Sequence, residues 1–125
     1  MAQVWVWVVG IALLVVLMVM KRRGKIPAPK AEELLRAGAM LVDVRSPAEF
    51  QGGHLKGAVN VPLDDVEQRI PKLVTDKGRV ILLHCQSGMR SGMAQRKLRA
   101  LGYEEAWNLG SYGQAAAVVE RGKKS

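Results

Sequence analysis

Thirteen residues, Val80 to Gly92 (VILLHCQSGMRSG), constrain this chain more than any others. Val80-Ile81-Leu82-Leu83 is an unbroken apolar run, suited to a strand buried on both faces and too short for a helix. At Cys85 the run gives way to a small, polar, Gly-containing loop. From Ser91 onward the pattern is helical, with Ala94, Leu98 and Leu101 on one side and Gln95, Arg96 and Arg99 on others. A strand, a tight loop and a helix N-terminus together make an anion site, because loop N–H groups converge where the helix adds its unpaired donors and dipole. The only cysteine of the chain stands at the mouth of that site, five residues before Arg90.

A lone cysteine can simply be a small buried hydrophobe. Here it ends a strand and faces a thiolate-stabilising loop, helix terminus and arginine, which points instead to a nucleophile. Neither histidine serves it. Alternation along the strand sends His84 to the opposite side from Cys85. Nothing in the sequence brings His54 within reach of the nucleophile. The thiolate is therefore expected to be stabilised by loop amides.

The frame Cys85-Gln86-Ser87-Gly88-Met89-Arg90-Ser91 resembles the active-site loop of the rhodanese family of sulfurtransferases. Leu41-Val42-Asp43-Val44-Arg45, Ser46-Pro47-Ala48-Glu49-Phe50 and the run from Gly53-His54-Leu55 to Asn60-Val61-Pro62 agree with that family in order and spacing. The resemblance covers most of residues 27–122. It implies an α/β domain with a central, mainly parallel sheet and helices on both faces, and a sulfur atom carried on Cys85 as a persulfide. It also favours a structural hydrogen-bonded pair for Asp43 and Arg45 over site-shaping charges, since buried charges are usually paired. One departure stands out. Where many members carry paired glycines and a later tryptophan, this chain has Gly110-Ser111 and Ala115-Ala116-Ala117.

At 125 residues there is room for one domain and a short appendage. Nineteen basic and eleven acidic side chains give +8, unevenly spread. Lys21, Arg22, Arg23 and Lys25 supply four of those charges, with no acid before residue 27. The remaining domain is mildly basic, and few aromatics interleave its cations, so no nucleic-acid partner is expected.

Val4 to Met20 is an apolar stretch of seventeen residues, about 25 Å as a helix. It has no polar face for a core helix, and it lacks the basic start and small-residue cleavage site of a signal peptide. The expectation is a single transmembrane anchor over residues 4–20, within an N-terminal region 1–26. Basic residues directly after it leave the N-terminus outside and the domain cytoplasmic. A reducing compartment also suits a free thiol. The α/β domain is expected over 27–122, with a frayed tail at 123–125.

Local signals set the other elements. Pro27 and Pro29 precede a helix over about Lys30 to Ala37, which Gly38 stops. Met40 to Val44 reads as a strand. Ser46-Pro47-Ala48-Glu49 is a capped helix start, and Ser111 to Gln114 a second capping box, opening a helix over Gln114 to Arg121. Ala58 to Val61 is a short strand. Val66, Ile70 and Leu73 share a helix face that Pro71 interrupts, with the turn able to restart there. Glu105 to Leu109 is the final edge strand.

The expected chemistry is two-step sulfur transfer through Cys85, from a donor such as thiosulfate or a persulfide to a thiol, cyanide or a protein cysteine, with no cofactor and no metal. Gln86, Ser87, Gly88, Met89, Arg90 and Ser91 form the substrate loop. Gly88 is expected to hold a positive φ or a close backbone approach. Arg90 is read as electrostatic support or a loop brace. Gln86 is neutral where a cation would recruit an anionic donor, which weighs against thiosulfate as the physiological substrate. A cysteine phosphatase or arsenate reductase, and a non-catalytic membrane-tethered sulfur-delivery or recruitment module, are the alternatives.

Overall fold

A computed structural model describes residues 2–22 and 26–123, with side chains over 3–19 and 26–123. Helix α1 runs Ala2–Arg22. The α/β part then proceeds as α2 (Ala28–Arg36), β1 (Met40–Asp43), α3 (Pro47–Gln51), β2 (Val59–Asn60), a 3-10 turn (Leu63–Asp65), α4 (Val66–Leu73), β3 (Ile81–His84), α5 (Met89–Ala100), β4 (Ala106–Gly110) and α6 (Tyr112–Gly122). The four strands form one sheet in the order β2-β1-β3-β4. Every pairing is parallel, so the run identified first as a buried strand lies second from one edge and β4 forms that edge.

Side-chain alternation sorts the two faces. Val42, Val44, Ile81, Leu83 and Cys85 pack with Val66 and Ile70 of α4 and Ala94 and Leu98 of α5. Leu41 and Leu82 pack on the other face with Ala31 of α2 and Ala115, Val118 and Val119 of α6. With no aromatic in its middle, α6 uses the small Ala115 and two valines to lie close against the sheet. Every strand thus ends at one edge, where the following turns gather Cys85, Asp43 and Arg45.

Several local expectations shift. The helix after the linker begins at Ala28, because Pro29 tolerates the first helical turn, where its missing N–H has no partner to lose. Pro71 does not break α4, which continues to Leu73. Leu73 is 47% exposed, and Val74, having turned to an extended conformation, is buried in its place. Gln95, expected on an outer face of α5, is buried.

The structure does not support the expected transmembrane helix over residues 4–20. Among the described residues, no helix is long and apolar enough to cross a membrane. The described side chains of α1 run from Gln3 to Val19. These side chains are exposed, Trp5 and Trp7 by more than 70%. The basic side chains of Lys21, Arg22, Arg23 and Lys25, and tail residues 124–125, lie outside the described residues.

Candidate active site

Cys85 directly follows β3, its N–H donating to Gly110 O at 3.3 Å. Gly88 then turns the chain with φ +97°. A Cβ there would lie 3.3 Å from the Cα and carbonyl carbon of Gly110, so glycine answers both the left-handed conformation and the close backbone approach. The turn aims the Gly88 N–H back at Cys85 Sγ, at 3.0 Å. Ser91, in the first turn of α5, places its Oγ 3.4 Å from the same sulfur.

Burial pushes the Cys85 thiol up. Hydrogen bonds from the Ser91 hydroxyl and from the Ser91, Gly88 and Ser87 amides outweigh it, leaving the thiol below its usual range. The stabilising groups are uncharged dipoles, as the loop reading expects.

Asn108 fixes the Ser91 hydroxyl. Its Oδ1 accepts from Gly110 N at 2.8 Å and its Nδ2 donates to Gly88 O at 3.1 Å, so the amide has one orientation. Ser91 Oγ lies 2.7 Å from that Oδ1, and its single proton can go to the amide oxygen, to Gly88 O at 3.2 Å, to Gly110 O at 3.5 Å or to the sulfur. Ionised sulfur draws the proton toward itself. Ser91→Ala removes this donor, so the pH midpoint of Cys85 alkylation should rise, by about one unit for a bond worth ~1.4 kcal/mol. A pH series of iodoacetamide rates checks it, and an unmoved midpoint would take Ser91 out of the sulfur's environment.

Arg90 is committed elsewhere. Its Nη1 and Nη2 donate to Glu49 Oε1 and Oε2 at 2.7 and 3.0 Å, a bidentate pair with α3. Hydrogen bonding to Arg90, then to the Ser46 backbone, holds the Glu49 carboxyl down to about 2. Glu49 also completes the expected capping box, accepting from Ser46 N at 3.1 Å. Arg90 is thus a brace between loop and α3.

Asp43 and Arg45 form a buried pair. Arg45 Nε donates to both carboxylate oxygens at 3.0 Å, and Nη2 donates at 2.8 Å. The same guanidinium reaches Gly53 O at 2.8 Å and Gln86 Oε1 at 3.4 Å, and lies 4.8 Å from the Tyr112 ring centroid. It ties the residues after α3, the cysteine loop and the start of α6 together. Gln86 O accepts from Tyr112 N at 3.2 Å, and Ser87 forms an antiparallel bridge with Ser111, clipping the loop to the β4–α6 turn. Met89 opens α5 and is 76% exposed at the loop's outer side.

The histidines stand apart from this chemistry. His84 is buried on the opposite face, Nε2 3.8 Å from Asp43 Oδ2, and burial pushes its pKa down, so it stays neutral. The exposed His54 ring stacks on Phe50 at 3.8 Å, with Nδ1 2.9 Å from Phe50 O.

Sequence reasoning missed Asn108 and Asn60, whose Nδ2 donates to Asp43 O and Arg45 O at 3.0 Å. Asparagine is depleted in strands. Its appearance near the carboxyl ends of β2 and β4 was the available signal.

Residues 27–114 match the model of the rhodanese-like domain. The chain belongs to the rhodanese-like family. In this rhodanese domain, 81 residues are 48% identical to the uncharacterized protein YqhL of Bacillus subtilis, spanning 62% of this chain and 63% of that protein. Thiosulfate sulfurtransferase PspE of Escherichia coli is 36% identical over 65% of this chain and 78% of its own length. A solved rhodanese from E. coli matches with TM-score 0.59 and 35% identity, over 62% of this chain and 91% of that one. The human single-domain sulfurtransferase TSTD1 matches with TM-score 0.64 and 28% identity, over 75% and 96%. By family, the chain is a rhodanese-type sulfurtransferase.

Proposed function

We propose that residues 27–122 transfer sulfane sulfur through a persulfide on Cys85. The observation that carries the reading is the convergence of Gly88 N–H and Ser91 Oγ on Cys85 Sγ, within a loop that folds around the sulfur itself. Thiolate Cys85 attacks the outer sulfur of thiosulfate. An S–S bond forms, the donor's S–S bond breaks, and sulfite leaves with the bonding pair. The terminal persulfide sulfur keeps the negative charge, which preorganised loop donors stabilise. A thiolate or cyanide then attacks that outer sulfur, and the electron pair of the S–S bond returns to Cys85 Sγ. Gln86, Ser87, Gly88, Met89, Arg90 and Ser91 shape the cradle, and Asp43 with Arg45 braces it. Incubation with thiosulfate and cyanide should yield thiocyanate, and with a persulfide donor and a small thiol should yield a new persulfide. Absence of both products would defeat the reading.

For residues 4–20 we propose association with a membrane, the N-terminus outside and the domain on the cytoplasmic side. Its support is the uninterrupted apolar sequence and the basic cluster that follows it. The full chain should pellet with membranes after alkaline carbonate washing, and a chain beginning at residue 27 should not. Equal release of both would overturn the anchoring.

A further inference from the structure

We propose that Glu49 determines which sulfur donors the site favours: by cancelling the charge of Arg90, it disfavours dianionic donors such as thiosulfate relative to persulfides of low charge. The proposal rests on the sulfur-transfer reading.

Two guanidiniums stand around the cradle, and neither is left as net charge. Arg45 is locked to Asp43, its Nη2 at 2.8 Å from Oδ2, and both side chains are almost fully buried. Arg90 is locked to Glu49 at 2.7 Å, where both side chains remain about one-third exposed. At the first loop position stands neutral Gln86, whose Oε1 takes up a further N–H of Arg45. His84 is uncharged, and Tyr112 presents its ring to Arg45. A donor therefore meets loop amides and a helix N-terminus, with both of these guanidiniums matched by a carboxylate. The exposed Glu49 carboxylate also repels a dianion, and at neutral pH it is fully ionised.

Glu49 has a second duty, the hydrogen bond from Ser46 N at 3.1 Å. A glutamine carbonyl performs that duty equally well, since a capping box takes Glu or Gln at this position. Glu49→Gln therefore removes the charge while keeping the cap, and leaves Arg90 as an unmatched cation beside the loop.

The test is kcat/KM of the full chain with thiosulfate and with a singly charged alkyl persulfide, at low and high salt. In Glu49→Gln, kcat/KM for thiosulfate should rise about fivefold to tenfold, mainly through KM, as one net cation appears at the site. The gain should shrink in 1 M salt, where screening acts over about 3 Å. The alkyl persulfide, with half the charge and so half the gain in free energy, should rise by only about twofold to threefold, so that the donor ratio shifts toward thiosulfate. Adding Arg90→Gln should return thiosulfate to the wild-type value or below. An unchanged donor ratio in Glu49→Gln, or an equal fall with both donors, would overturn the assignment and leave Glu49 a brace. Should the variant fold poorly, the wild type decides: thiosulfate kcat/KM that falls steeply with salt would reveal a net cationic site and overturn it, and a shallow dependence supports it. A wild type that takes sulfur from neither donor would remove the sulfur-transfer reading and this inference with it.

Discussion

Cys85→Ser should abolish sulfur loading and lower thiosulfate:cyanide turnover by at least about a thousandfold, the scale seen when a catalytic nucleophile is removed. The loop donors stay in place, so the loss isolates the sulfur atom. Serine is a hard, protonated oxygen at working pH, whereas the Cys85 thiol is held below its ordinary range by the Ser91 hydroxyl and three amides despite burial. The substitution is nearly isosteric at a fully buried position, so melting temperature should change by no more than a few degrees. Thiocyanate production and thermal denaturation check the two halves. Retained turnover in a folded variant would move the nucleophile away from Cys85.

Lengthening the loop should have the next largest effect. Cys85 through Arg90 is six residues, and the Gly88 N–H reaches the sulfur at 3.0 Å. Phosphatases and arsenate reductases of similar loop carry one more residue, which widens the bowl toward a tetrahedral oxyanion. Stabilising donors must sit within about 3 Å of the developing charge, and a reacting atom must approach to ~3–3.5 Å. One small residue inserted between Gly88 and Met89 breaks that fit. It also disturbs Gly88 against the Gly110 backbone and the Asn108 bond to Gly88 O. Sulfur transfer should fall by at least about a hundredfold, the scale of losing one preorganised donor. The native loop should not hydrolyse an aryl phosphate or reduce arsenate. Efficient phosphate turnover by the native chain, lost in Cys85→Ser, would favour the phosphatase reading instead.

What the sequence revealed was local or periodic. The glycine at the loop's turn, both capping boxes and the opposite placement of Cys85 and His84 follow from backbone sterics, helix-end chemistry and strand alternation. The Asp43–Arg45 pair was also legible, being two residues apart at a strand end. What remained hidden depends on distant residues meeting. Glu49 and Arg90 are 41 positions apart, and the helix-capping role already explained Glu49, so nothing local demanded a second partner. Asn108 lies 17 positions beyond Ser91 and meets it because β4 pairs with β3. Pro71 misled because a proline penalty in isolation ignores the packing of Val66 and Ile70, which carries α4 one turn further.

The most direct measurement is intact-protein mass spectrometry of the full chain, before and after thiosulfate or an alkyl persulfide, followed by peptide mapping and cyanide treatment. Sulfur transfer through Cys85 predicts a mass gain of one sulfur atom, located on the peptide that carries Cys85, removed by cyanide and absent from Cys85→Ser. A chain that gains no sulfur from either donor, or gains it equally in Cys85→Ser, would contradict the account.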